Sequence, residues 1–186
     1  MLITVTGGSG SGKSEFAENL LLKLDGEART DRFYIATMEP FGEEGARRIK
    51  RHRAMRRDKG FETVECYRNL KELVLSEGKG ERTSALLECM SNLAANELFA
   101  GEGESCEKGR ESAQKEIFAG IEKLLGQTGL LVVVTGEVFS DGLSYDASTE
   151  CYRKLLGALN RKLAALSDVF VEVVYSIPLY LKGGPL

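Results

Sequence analysis

Eight consecutive residues constrain this chain more than any others: GGSGSGKS, residues 7–14. They fit the pattern G-x-x-x-x-G-K-[ST] through Gly7, Gly12, Lys13 and Ser14. The pattern has chemical content only where a strand enters it and a helix leaves it. Upstream, LITVT (2–6) is a short β-branched run, read as a buried strand. Downstream, KSEFAENLLLKL (13–24) places Phe16, Ala17, Leu20, Leu21 and Leu24 on one helical face. In that setting the backbone N–H groups of Gly7, Gly8, Ser9, Gly10, Ser11 and Gly12 turn inward on phosphate oxygens. The helix N-terminus adds partial positive charge. Lys13 reaches the β and γ phosphates, and Ser14 is placed to hold Mg²⁺.

The rest of the chain alternates strands and helices. RFYIAT (32–37), FETVEC (61–66), SALLEC (84–89), LLVVVT (130–135) and VFVEVVY (169–175) read as extended. Helices are expected at about 43–57, 69–75, from 90 to about 100, 110–126 and 148–166, with a polar, glycine-rich loop at 101–109. LLVVVT is apolar on both faces, as a strand covered on both sides must be. The order predicts one α/β domain over residues 1–186: a P-loop NTPase-type three-layer fold around a mainly parallel sheet. No apolar run reaches the roughly 18 residues of a membrane span, and no secretory leader is expected. Cys66, Cys89, Cys106 and Cys151 form no C-x-x-C pair. They read as reduced thiols of a cytoplasmic protein.

A phosphate loop specifies a nucleotide, not a reaction. An acid at the end of a neighbouring buried strand completes the usual Mg²⁺ site, and Glu88 is the candidate. Glu137, after LLVVVTG, is a second carboxylate at the strand ends where ligands gather in parallel sheets. The N-K-x-D signature of guanine-specific switch GTPases is absent, since that region reads TGEV.

RRIKRHRAMRRDK (47–59) is the second constellation. It holds eight Lys or Arg against one Asp, in a chain of net charge −3, and contains His52, the only histidine. On a helix, Arg48, His52 and Arg56 share one face. Three readings stand on the residues alone. The helix is solvated surface; or it is a small nucleic-acid patch, against which stand the acidic balance and the lack of interleaved aromatics; or it clamps a triphosphate. In the last case the surrounding cations keep His52 neutral near pH 7, able to attack phosphorus and form a phosphoramidate.

Taken in order, TGGSGSGKS, YIAT, ARRIKRHRAMRR…FETVE, LLECMSN, a strand ending TGEV, and YRKLLGALNRKLAALSDVFVEVVYSIPLYLK resemble the bifunctional adenosylcobinamide kinase / adenosylcobinamide-phosphate guanylyltransferase family of cobalamin biosynthesis. The likeness spans nearly the whole chain except 101–128. It implies two reactions: phosphorylation of adenosylcobinamide by ATP or GTP, then transfer of GMP from GTP through a histidine to give adenosylcobinamide-GDP. It places that histidine at His52, by matching R-I-x-x-H to Arg48-Ile49-Lys50-Arg51-His52, with Lys13 as the other catalytic group. It implies nucleotide contacts from Arg48, Arg51, Arg53, Arg56 and Glu65, the last from the T-x-E at 63–65. It implies Mg²⁺ at Ser14 and Glu88, and a homotrimer. The sequence departs from the family pattern at Asp58 (usually Pro), Phe61 (usually Trp) and 136–139 (GEVF for N-E-V-G). Two further readings stay open: a small-molecule kinase without guanylyl transfer, and a nucleotide-binding protein without catalysis.

Overall fold

The two strands that are buried at every position lie at the centre of the sheet. Leu2–Thr6 (β1) and Leu130–Val134 (β5) are buried at every position and pair in parallel, Leu2 beside Leu131 and Val5 beside Val134. We describe a computed structural model over residues 1–26, 31–40, 59–75, 82–100 and 105–186. Outward from β5 lie Thr83–Glu88 (β4), Asp31–Ala36 (β2) and Glu62–Glu65 (β3), all parallel. On the other side of β1 lie Val169–Val174 (β6) and Ile177–Lys182 (β7). The seven-stranded order is β3-β2-β4-β5-β1-β6-β7, with only β7 antiparallel.

Lys13–Asp25 (α1) packs on one face of the sheet, its Ala17, Leu20 and Leu21 against Ile3, Val5, Leu86 and Val132. Met90–Leu98 (α2), Cys106–Gln127 (α3) and Ala147–Leu166 (α4) cover the other face. The result is three layers, as the alternation of elements requires. Asp146 caps α4, its carboxylate accepting from the Ser148 and Thr149 N–H groups at 2.9 and 3.0 Å. The Ser148 hydroxyl, then the Thr149 N–H and hydroxyl, all donate to it and hold its carboxyl well below the usual range.

Four expectations are corrected. Residues 69–75 form only a single 3₁₀ turn, Leu70–Glu72, entered through Asn69 in the left-handed region. The turn sits against α3 where Gly120 leaves room. A Cβ there would stand 2.6 Å from Leu70 Cβ, so Leu70 finds its burial by tertiary contact rather than helix extension. Helix α3 begins at Cys106, inside the stretch expected to be loop, its first turn closed by the Gly109 N–H donating to the Ser105 carbonyl at 3.0 Å. A seventh strand, β7, follows β6 through a hairpin turn at Tyr175 and Ser176. Its turn lacks the Asn-Gly or Asp-Gly that marks such hairpins in a sequence. Finally, Cys106 and Cys151 are joined in a disulfide; only Cys66 and Cys89 are free thiols. The start of α3 lies beside the second turn of α4, with the cysteine Cα atoms 5.8 Å apart, although 45 residues separate them in sequence. The basic segment at 43–57 lies outside the described residues.

Candidate active site

Parallel pairing brings the C-terminal ends of the strands to one edge. The register sets Glu65 beside Ala36, Ala36 beside Glu88, Glu88 beside Val134, and Thr6 beside Glu172. This edge is the ordinary ligand-binding edge of a parallel sheet. β1 delivers the chain to it at Thr6, and residues 7–12 turn there into α1.

Backbone bonds hold the loop on two flanks. At its first residue, the Glu137 N–H donates to the Gly7 carbonyl at 3.0 Å. At its far end, the Ser176 N–H donates to the Ser11 carbonyl at 2.8 Å. Gly12 has φ +90°, and a Cβ on it would meet the Ser176 hydroxyl oxygen at 2.6 Å. Only glycine meets both demands without strain. Within the loop the Lys13 ammonium donates to the Gly8 carbonyl at 3.0 Å, which folds this side chain across the cradle.

The Ser14 hydroxyl donates to the Glu88 carboxylate at 2.8 Å. A helix residue and a strand-end acid two strands away thus meet as a pair of hard oxygen ligands. Such a pair fits Mg²⁺, which binds through one or two protein oxygens and completes its shell with phosphates and water. No cluster of three or more potential metal-ligating side chains occurs among the described residues; a nucleotide-dependent magnesium site needs none.

Side chains from the α2 layer brace the same edge. The Thr37 hydroxyl donates to the Cys89 carbonyl at 2.8 Å and accepts from the Cys89 N–H at 2.7 Å. The Asn96 amide donates to the Thr37 and Tyr67 carbonyls, both at 2.9 Å. Burial and the neighbouring Glu88 charge push the Cys89 thiol up to about 11, so it stands as a neutral thiol beside the carboxylate. From α4, Asn160 accepts from the Thr135 hydroxyl at 2.7 Å and donates to the Gly136 carbonyl at 3.0 Å. It thereby fixes the turn whose next residue, Glu137, holds Gly7. Asn160, Asn96 and Ser176 carry no sequence signal, because each acts on a residue far away in the chain.

The expected residues divide as follows. Gly7 to Ser14 and Glu88 are brought together. Glu137 reaches the loop through its backbone, while its carboxylate accepts from the Phe139 N–H at 2.8 Å and the Ser140 hydroxyl at 3.0 Å. Glu65 lies on the same edge but four strands from β1, about 19 Å at ordinary strand spacing, with the Tyr67 hydroxyl bonded to it at 2.8 Å. His52, Arg48, Arg51, Arg53 and Arg56 lie outside the described residues. Beyond the expected set is a cavity of about 620 Å³ between α4 and the β1–β6 face, running from Thr6 and Glu137 past Arg153 to Arg161.

A strand, a glycine loop with Lys13 and Ser14, and an acid closing on that serine define a phosphate-loop nucleotide enzyme of the α/β class. Two solved structures share this fold. The flagellar accessory protein FlaH of Methanocaldococcus jannaschii superposes with TM-score 0.51 at 12% identity, over 98% of this chain and 78% of that one. The ATPase domain of G40P gives 0.50 at 10% identity, over 92% and 68%. Within the class, the model of the CobU family, described as cobinamide kinase / cobinamide phosphate guanyltransferase, matches residues 3–181, and the chain belongs to that family. It is 32% identical to the bifunctional adenosylcobalamin biosynthesis protein CobU of Salmonella typhimurium, over 98% of this chain and 100% of that one. Identity to the CobU of Escherichia coli K12 is 31% over the same shares, and to the CobP of Pseudomonas aeruginosa 30% over 98% of each. The family is that of an enzyme with kinase and nucleotidyltransferase activities in cobalamin biosynthesis.

Proposed function

We propose that this protein phosphorylates adenosylcobinamide and then guanylylates the product through a histidine, with His52 as the covalent carrier. The observation that carries the reading is the Ser14–Glu88 pair at the mouth of the phosphate loop, in a chain that matches the family model over residues 3–181.

In the first reaction the acceptor alcohol oxygen attacks the γ-phosphorus of ATP or GTP. The bond to the β–γ bridging oxygen breaks, and the nucleoside diphosphate leaves. Lys13 and the loop N–H groups stabilise the charge on the transferring group. Ser14 and Glu88 would hold Mg²⁺, which supplies further charge neutralisation when bound. In the second reaction a neutral His52 nitrogen attacks the α-phosphorus of GTP and pyrophosphate leaves. A phosphate oxygen of adenosylcobinamide phosphate then displaces the histidine, forming adenosylcobinamide-GDP. Arg48, Arg51, Arg53 and Arg56 hold the triphosphate on this reading and Glu65 serves the nucleotide. The enzyme works as a homotrimer in the cytoplasm, where nucleoside triphosphates are available. No described helix is long and apolar enough to cross a membrane.

Incubation with α-³²P-GTP tests the covalent step. The wild-type protein should acquire an acid-labile label, and His52→Ala should acquire none while still transferring γ-phosphate. An unlabelled wild-type protein that phosphorylates cobinamide would leave a kinase only. Label persisting in His52→Ala would remove His52 from the mechanism.

A further inference from the structure

The cavity beside α4 has a lining that the two reactions above leave unused. Four basic side chains, Arg110, Arg153, Lys154 and Arg161, face it together with the apolar rings of Phe139 and Phe170. Three carboxylates share the lining, Glu137, Glu150 and Glu172. Two are engaged locally: Glu150 pairs with Arg153 at 2.7 Å, and Glu137 accepts from its own turn. Arg110, Lys154 and Arg161 have no carboxylate within pairing distance among the described residues. The Nε atoms of Arg110 and Arg153 are buried and have no hydrogen-bond acceptor among the described residues. A buried guanidinium nitrogen without an acceptor is costly to retain, and arginine forks are the preferred partners of phosphate oxygens.

Position adds a second argument. The cavity starts at Thr6, the residue before the phosphate loop, and at Glu137, whose N–H holds Gly7. It therefore opens beside the first residue of the loop. The opposite end of the loop, at Gly12, is closed by Ser176. A phosphoryl group handed from the loop to an acceptor has this cavity, lined by four cations against three carboxylates, next to it. A volume of about 620 Å³ is within the roughly 300–1,000 Å³ of small-molecule sites. That is room for the phosphorylated end of a large acceptor whose macrocycle stays outside.

We infer that the α4 cavity is a phosphomonoester site. It binds the phosphate end of cobinamide phosphate and keeps the product of the first reaction on the enzyme for the second. This rests on the function proposed above. The recognition comes from side chains of α3 and α4 that belong neither to the phosphate loop nor to the basic segment at 47–59.

Corrinoids absorb visible light, so equilibrium dialysis of the full chain against cobinamide phosphate and against cobinamide measures binding without turnover. The wild-type protein should prefer the phosphate. Arg110→Gln, Lys154→Gln and Arg161→Gln, combined, should weaken cobinamide phosphate about tenfold or more. Cobinamide itself and GTP should bind as before. The single variants each give part of the loss and serve if the triple variant does not fold. An unchanged preference for phosphate in the variants overturns the inference. So does a parallel loss of GTP affinity, which would assign these cations to the nucleotide. Failure of the GTP-labelling experiment would remove the guanylyl-histidine and leave this binding result standing or falling by itself.

Discussion

The phosphate loop and the α4 cavity adjoin at Gly7 and are built in opposite ways. The loop is eight contiguous residues whose shape is held by backbone bonds from Glu137 and Ser176. The cavity is assembled from side chains spread between Thr6 and Glu172, on β1, α3, the turn after β5, α4 and β6. Peptide groups can be arranged by short sequence, because glycine and the strand–helix junction dictate where N–H groups point. A set of arginines has to be collected by the tertiary fold. On the functions proposed above, the comparison separates nucleotide binding, assigned to the contiguous element, from acceptor recognition, assigned to side chains that helix placement collects.

The largest effect that would sharpen this division is reduction of the Cys106–Cys151 disulfide. It closes a loop of 45 residues, worth roughly 4 kcal/mol of unfolded-state entropy. Denaturant unfolding with and without dithiothreitol should show a loss of that order, while GTP affinity stays the same in the folded protein. A matching fall in GTP affinity would show that the loop depends on the α3–α4 pair and would merge the two regions.

Next in size is Gly12→Ala. Its Cβ would meet the Ser176 side chain at 2.6 and 3.3 Å, on a backbone at φ +90°. The cost should be about 1–3 kcal/mol, with GTP affinity at least several-fold weaker by calorimetry. Adding Ser176→Gly should relieve the clash but not the backbone strain. A fully recovered double variant would mean that the hairpin contact, rather than loop conformation, dominates.

The smallest effect is a pH dependence at Cys89. Its thiol rises from an ordinary 9.0 to about 11, chiefly by burial and then by the Glu88 charge. A raised acid favours the protonated folded form. Its contribution is therefore complete below pH 9 and is lost as pH rises through 11. Stability of the wild type relative to Cys89→Ala should fall by about 1 kcal/mol between pH 9 and pH 10, read from paired urea melts. A flat difference would mean the thiol ionises freely.

Much of the sheet was legible in the chain because β1, β4 and β5 are short, mostly apolar runs bounded by loops, with β5 apolar on both faces. The strand end carrying Glu88 and the helix starting at Lys13 could be brought together before any coordinates, as a candidate Mg²⁺ pair, since both follow from local pattern. β7 was not legible: its residues alternate in burial only weakly, and Tyr175–Ser176 is no turn signal. The disulfide was missed because pairing depends on α3 lying beside α4. Asn160 was missed because an amide in a helix has no local mark of the turn it supports. The same reason hid Arg110 and Arg153.

The hairpin at Tyr175–Ser176 also bears on the order in which the protein is made. Residues 7–14 leave the ribosome well before Ser176, yet the bond to Ser11 and the packing against Gly12 come from Ser176. β1 itself is flanked by β5 and β6, whose residues follow more than a hundred positions later. A nascent chain therefore carries its nucleotide motif without the supports that shape it. Competence for GTP should be acquired late and in one step, when the last two strands dock. Removal of residues from 175 onward should abolish it although every motif residue remains.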